Sequence, residues 1–511
     1  MSDTPDEAVG SEAEAPRPRR KGIPPWALLV VAVVAIGIGF LIGALIADIA
    51  GKKAAADQPT YVPVVQIDDT NKYDAAVWGQ NFPKEYDGWA KTAEFSPSLH
   101  LAATDLVRPG PAVDVQPREW VTPSKIEEDP RLVTMWAGNA FAKDYRHLRG
   151  HAYMTIDQLL TQRMQSPAKP QPGTCLNCHG TMPAVYAELG NGDLNAGYTA
   201  MNNLPYLADA TNPKGAGDYA KGPISCIDCH DPKTMELTIT RPSLVEGMKA
   251  LKASQGVANY DVNRDATRQE LRSLVCAQCH VEYYFSPTDK SLVFPWAKGS
   301  HIDQTWEYYQ EVGFTDFTHA QTGAGIVKAQ HPEFEAWSEG VHAANGVSCA
   351  DCHMAYQRDG SQKVSNHDIG SPMSDVNGTC GTCHAGSEAA LKGRVDQIQA
   401  RYIASRDEAL DSLTQLIAAL SKARAEGSGV PAAAIEAAQK LQNKASFYVD
   451  YGYSENSYGF HAPDYFQRVF AESLDASRKA QLILLGASEA DLAPSAQTTA
   501  HQEKADAAGV R

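Results

Sequence analysis

The sequence lacks a basic surplus. Its 45 Lys and Arg are outnumbered by 61 Asp and Glu, for a net charge of −16. Phosphate backbones are held by basic faces, so nucleic acid is excluded as a partner. The same balance repels small anions, so an anionic substrate needs a cationic pocket of its own. Long apolar runs are scarce as well. A hydrophobic fraction of 43% is that of an ordinary globular protein and excludes a polytopic membrane protein. Spare cysteine is also missing. All ten cysteines fall in one repeated pattern, so no disulfide framework is expected.

One uncharged stretch does occur, the 22 residues from Trp26 to Ala47, where about 20 suffice for a spanning helix. Arg17, Arg19, Arg20 and Lys21 precede it, which keeps the N-terminus cytoplasmic. Lys52 and Lys53 weaken that asymmetry without reversing it. The apolar region of a cleaved signal is normally about 7–15 residues. An uncleaved anchor is therefore expected over cleavage near Ala54-Ala55-Ala56. The chain is thus placed at the cell membrane, single-pass, with everything after the anchor extracytoplasmic.

The organisation expected is a cytoplasmic tail (1–25), a transmembrane anchor (26–47), a linker (48–70), a compact core (71–386), a long-helix region (387–487) and a disordered tail (488–511). The core is rich in Gly, Pro, Asn and Asp, which predicts short helices and long loops. After Glu388 the pattern changes. Leu391, Val395, Ile398 and Tyr402 step by four, three and four, and Ala409, Leu413, Leu416 and Leu420 repeat the rhythm, which predicts one long amphipathic helix. Gly427-Ser428-Gly429 ends it. Pro431 opens a second, to about Val449, and Pro463 a third that carries Phe466, Val469, Phe470, Leu474, Leu482 and Leu485 and stops at Gly486. On the residues alone these helices read as a cap on the core; a dimer interface is the alternative.

The repeated pattern is Cys-x-x-Cys-His, present five times: Cys175-Cys178-His179, Cys226-Cys229-His230, Cys276-Cys279-His280, Cys349-Cys352-His353 and Cys380-Cys383-His384. Two thiols three apart on a turn reach the two vinyl groups of one haem, and the next residue then lies under the iron as an imidazole ligand. Five copies that consume every thiol behind an export segment exclude zinc half-sites and redox dithiols. Five covalent c-type haems are expected, in a mainly α multihaem cytochrome c core preceded by one transmembrane helix. Five irons have ten axial positions, and the motif histidines fill five. Ten of the fifteen histidines remain. Counting leaves open whether every iron is closed for electron transfer or one is free to bind substrate.

Between about Leu132 and Gly486 the chain resembles the pentahaem cytochrome c nitrite reductases that form ammonia. The resemblance is carried by Arg149-Gly150-His151-Ala152-Tyr153 with Arg163 following, by Cys276 to Phe285, by Lys328-Ala329-Gln330-His331-Pro332, by His342 ahead of His353, by His367-Asp368-Ile369-Gly370 and by His461-Ala462-Pro463. It implies that His151 closes the third haem, His367 the second, His461 the fourth and His342 the fifth. The first haem, on His179, would keep an open side faced by Arg163, Tyr283 and His331. Calcium would be held by the side chains of Glu282 and Gln330 and the carbonyls of Tyr283 and Lys328, an all-oxygen set suited to a hard cation. His100, His147, His301, His319 and His501 have no counterpart and are expected at the surface or behind the ligands. The best-known members carry lysine where His179 stands; others carry histidine.

The implied reaction is six-electron reduction of nitrite to ammonium. Arg163 would hold the anion, His331 would supply charge and protons near neutral pH, and Tyr283 a hydroxyl. The implied partners are nitrite, a membrane-bound multihaem quinol dehydrogenase as electron donor, and a second copy in a homodimer. A pure electron-transfer cytochrome with five closed haems is the alternative. Hydroxylamine or sulfite reduction at the same site is another.

Overall fold

The structure, a computed structural model, describes residues 24–56, 63–94, 122–147, 149–165, 171–488 and 490–507. The expected cytoplasmic tail, its basic cluster and His100 lie outside them, except for Pro24 and for Pro25, which opens the first helix. The described residues divide into two units between Val64 and Val65.

The first unit is one helix, α1 (Pro25–Ala56). It continues past Ala47 into the expected linker, because Asp48 to Ala56 contains no proline and is mostly Ala, Lys, Ile and Asp around Gly51. Its side chains are only partly described, and among the described residues no helix is long and apolar enough to cross a membrane.

In the second unit, no described helix before His384 exceeds 13 residues. The helices used below are α2 (Met154–Leu160), α3 (Arg268–Ala277) and α4 (Cys349–His353). Local caps set such short pieces. For α3, the Thr267 hydroxyl accepts the Glu270 amide at 3.2 Å while the Glu270 carboxylate accepts the Thr267 amide at 2.8 Å. Strands among the described residues form three two-stranded antiparallel ribbons: Tyr284–Phe285 with Leu292–Val293, Phe317–Thr318 with Gly325–Ile326, and Tyr356–Asp359 with Gln362–Ser365.

Three long helices follow: α5 (Glu388–Ala423), α6 (Ala432–Ser454) and α7 (Pro463–Leu484). Ser387 caps α5, accepting the Ala390 amide at 3.3 Å. Gly427 and Gly429 adopt φ of 78° and 75° in the reversal, a region that favours glycine. α6 runs past the expected Val449 to Ser454. Leu410, Leu413, Leu416, Ile417 and Leu420 are fully buried on α5, each worth roughly 1.5–3 kcal/mol of transfer free energy. They pack with Phe447 and Tyr451 of α6 and with Phe466, Val469 and Phe470 of α7. The same cluster takes in Leu132, Met135, Trp136, Tyr145, Tyr309, Val327 and Ala329, so the helices cap the earlier region.

The tail differs from the disorder expected of 488–511. Ala496–Ala507 is helical, α8. Ser495 accepts the Thr498 amide at 3.1 Å, and Ala, Gln, Glu and Lys are strong helix formers.

Candidate active site

Each Cys-x-x-Cys-His run occupies a tight helical turn, on 173–179, 226–228, the end of α3, α4 and 380–382. None of the ten cysteines is paired in a disulfide. Buried polar residues stitch the turns together. Arg241, 1% exposed, pairs with Asp228 at 2.8 Å inside the second turn and donates to the carbonyls of Asn177 and Gly180 around the first. The Gln278 amide oxygen, inside the third turn, accepts the Thr240 and Arg241 amides, and its nitrogen donates to the Asp228 carbonyl at 3.1 Å. The third turn therefore lies against the first two; Cys279 Sγ is 3.7 Å from the Asn177 carbonyl. It lies against the fourth as well, where the Cys349 amide donates to Ser273 of α3 at 3.2 Å. Sequence reasoning missed this set. Only Asn177, Asp228 and Gln278 stand within motifs, and nothing local marks Arg241.

An imidazole nitrogen binds a metal at about 2.0–2.1 Å and the ring centre lies roughly 1.1 Å behind it, so two rings sharing one iron stand roughly 6.2 Å apart. His230 and His367 have ring centres 6.3 Å apart, His353 and His461 6.4 Å, and His342 and His384 6.2 Å. Each pair joins a motif histidine to the distal residue that the resemblance implied. His151 lies in the field of His280: burial and then the nearby His280 charge lower it to about 4. These separations and the thiol turns beneath them fit bis-imidazole c-type haems. Backbone close to the rings makes the approach possible. Gly340, two residues before His342, leaves room where a Cβ would collide with the His461 carbonyl.

His179 has different company. Burial, then the Arg163 guanidinium, with His331 close by, lower it to about 3. Arg149 closes a loop on Asp157 through a 2.7 Å ion pair, which sets the His151 turn and α2 ahead of Arg163. The Arg163 guanidinium, 7% exposed, donates to the Asp144 carbonyl at 3.1 Å and the Gln158 side-chain oxygen at 2.9 Å, with its carbon 4.6 Å over the Phe141 ring. Asp144 and Gln158 were not anticipated. Burial pushes Tyr283 well above the usual phenol range, so its hydroxyl keeps its proton. Burial lowers His331 to about 4, opposed by Glu333 and aided by His280, Lys328 and Lys125. The expected charged His331 at neutral pH is thus a neutral imidazole here, because its desolvation outweighs the one carboxylate beside it.

Glu282 is fully buried. It accepts Tyr309 Oη at 2.9 Å and the Gln330 amide at 2.6 Å. Burial pushes it well above the usual carboxylate range, and Glu335 and Asp316 add like charge. The Gln330 side chain lies 3.2 Å from the Lys328 carbonyl. The Lys328 ammonium points elsewhere, 3.5 Å from Asp450 and 4.7 Å over Trp136, so only its carbonyl serves this spot. Among the described residues no three His, Cys, Asp or Glu side chains converge as a metal site. The buried Glu282 carboxylate, with the Gln330 side chain and the Lys328 carbonyl beside it, offers oxygen donors of the kind that suit a hard cation such as calcium.

His147, His301 and His319 make structural contacts. His319, expected at the surface or behind ligands, is fully buried, 2.9 Å from the Thr134 carbonyl, and accepts the Thr322 amide. His147 bonds Glu128 at 2.9 Å. His301 accepts the Asp303 amide at a helix start.

Residues 74–510 match the cytochrome c552 family. The chain belongs to that family. This cytochrome c552 is 37% identical to cytochrome c-552 of Parabacteroides distasonis over 412 residues, 79% of this chain and 74% of the relative. It is 34% identical to that of Desulfotalea psychrophila over 473 residues, 89% and 83% of the two chains. Among solved structures, the catalytic subunit of cytochrome c nitrite reductase from Desulfovibrio desulfuricans, a protein with two calcium sites, superposes with a TM-score of 0.67 at 28% identity, over 82% of this chain and 88% of that one. The mainly helical multihaem fold is common to both.

Proposed function

We propose that this cytochrome c552 reduces nitrite to ammonium on the open side of a haem ligated by His179. Its place among the cytochrome c nitrite reductases, which are oxidoreductases, rests on the family and the fold. The observation that carries the site is Arg163: a buried guanidinium, held by the Asp144 carbonyl and Gln158, is among the charges that lower His179. A buried cation held only by neutral oxygens suits an anionic substrate.

Five c-type haems, one per motif, supply a Lewis-acidic iron and a path for electrons when bound. The remaining steps belong to the chain. Two Arg163 N–H groups are spent on Asp144 and Gln158, which fixes the fork. The others can take a nitrite oxygen in a site the protein's acidic surface would otherwise deny it. Nitrite takes up six electrons and eight protons and leaves as ammonium and two waters. Tyr283, which stays protonated, hydrogen-bonds the oxygen that departs as water. His331, neutral at rest, gains a proton as an anion arrives beside it and passes it on. Calcium on Glu282, Tyr283, Lys328 and Gln330 would offset the buried carboxylate and pin the loop that carries His331. His151, His230, His280, His342, His353, His367, His384 and His461 would close the other four haems.

The wider setting is part of the same reading. The uncharged run 26–47 anchors the chain; in α1 the described side chains of Leu29, Val33, Phe40 and Leu41 all face outward, as on a helix that is apolar all round. The N-terminus is then cytoplasmic, the donor a membrane-bound multihaem quinol dehydrogenase, and the working form a homodimer through the long helices. Resting-state EPR with ligand titration tests the core claim. One high-spin ferric haem that changes with nitrite or cyanide, beside four unresponsive low-spin haems, is the expected result. Five low-spin haems indifferent to both ligands would make the protein an electron-transfer cytochrome.

A further inference from the structure

The imidazoles paired across the haem positions differ in what their second nitrogen touches. His230 Nδ1 bonds the Met235 carbonyl at 3.0 Å, His367 Nδ1 the Ser365 carbonyl at 2.9 Å, and His353 Nδ1 the Gly370 carbonyl at 3.0 Å. His461 Nδ1 instead lies 2.7 Å from the carboxylate of Glu455. The nearest comparable case, Glu333, is 3.9 Å from His280 Nδ1, too far for a hydrogen bond.

The Glu455 side chain is 0% exposed. Its other contacts are all donors: the Ser457 amide at 3.1 Å, the Ser457 hydroxyl at 2.8 Å and the Gly459 amide at 3.5 Å. They suit a carboxylate, and they hold it in place between the end of α6 and His461. Tyr402, packed against the same turn, fixes it further by donating to the Gly452 carbonyl.

An imidazole that gives its Nδ1 hydrogen to a carboxylate becomes a stronger donor through Nε2. A buried negative charge close to a metal also acts through a low dielectric. Both effects favour the ferric over the ferrous state, and a backbone carbonyl supplies neither a full charge nor the same pull. We propose that Glu455 is a positioning residue that, through His461, gives the haem between His353 and His461 a more negative reduction potential than the haem between His230 and His367. This rests on the bis-imidazole reading of those pairs.

The test is a redox titration of the whole holoprotein, followed by low-temperature EPR of each low-spin ferric signal, with haem content checked. In Glu455→Gln the amide oxygen still accepts from Nδ1 but the charge is gone. One midpoint should rise by the equivalent of about a tenfold change in the ferric-to-ferrous ratio, ~59 mV for one electron, while the others stay. Glu455→Asp keeps the charge and lengthens the contact, and should move the same midpoint upward by less. Unchanged midpoints in whichever of the two variants matures with full haem would overturn the proposal. His461→Met separately checks the ligation reading: loss of one low-spin signal of wild-type shape is expected, and retention of all of them would remove the basis for the pairing itself.

Discussion

Between Gln171 and His384 no described helix exceeds 13 residues, whereas α5 alone runs for 36. The motif-bearing region has small apolar clusters, around Leu176 and Tyr186 and around Leu274 and Trp296. Its turns are tied to one another by buried polar groups such as Arg241, Asp228 and Gln278. The long helices are held by an unbroken seam of Leu, Ile, Phe and Tyr. A seam of side chains tolerates small errors because each contact is weak and non-directional. A charged stitch does not, because removing one partner leaves the other buried and alone. The two regions should therefore fail differently under mutation.

The largest effect is expected from Arg241→Ala. Breaking a buried pair costs about 3–5 kcal/mol, here at the junction of three haem turns. Incomplete haem attachment and a drop in denaturation midpoint are expected, measured by the pyridine haemochrome assay and thermal melts. Full haem content with an unchanged melt would remove the contrast. Arg163→Ala comes next. Loss of one preorganised donor typically lowers turnover by about 100- to 1,000-fold, here in steady-state nitrite assays with haem content checked. Gln158→Ala should lower turnover in the same direction by less, since the Asp144 carbonyl still holds the guanidinium.

In the helices, Ile417→Val should lower stability by about 0.5–1.5 kcal/mol and leave turnover and every haem signal alone. A change in nitrite turnover would show that the seam and the site are coupled. The smallest effect concerns pH. Asp303 is raised by burial, but the Tyr448 hydrogen bond and the Arg468 and His301 charges outweigh that and hold it below the ordinary carboxylate value. Its folded value is depressed, so its stabilisation is complete above the ordinary value near 4. It is lost as pH falls through the lower folded value. Melts of wild type and Asp303→Asn should therefore differ near neutral pH and converge in acid; parallel curves would mean that the contacts of Asp303 with α6 and α7 contribute nothing.

Legibility followed the same divide. The α5–α7 seam was readable because a 3.6-residue period and glycine or proline at each end are local signals. The end of α6 was missed by five residues, since Asp450 and Tyr451 face the core for tertiary reasons: Asp450 accepts Trp136 Nε1 at 3.0 Å. The tail helix α8 was missed because its described side chains are exposed, so no buried face marks it in the sequence. In the candidate site the thiols and motif histidines were visible from spacing. Arg163 and His331 were reachable only through resemblance. Gln158, Arg241 and Glu455 carried no signal at all, since each acts on a residue that is distant in sequence or on the far side of a turn.

By itself the sequence determined that every thiol belongs to a Cys-x-x-Cys-His run, so that each run ends in an imidazole, and that long amphipathic helices follow. Those are covalent spacing and periodicity, properties of neighbours along the chain. The tertiary structure alone decided the 6.2–6.4 Å separations of the imidazole pairs, that a buried guanidinium is among the charges that shift His179, that desolvation lowers His331, and that one of these imidazoles rests on a carboxylate while others rest on peptide oxygens. These are distances between residues far apart in the chain and the dielectric around them, and neither exists until the chain has folded.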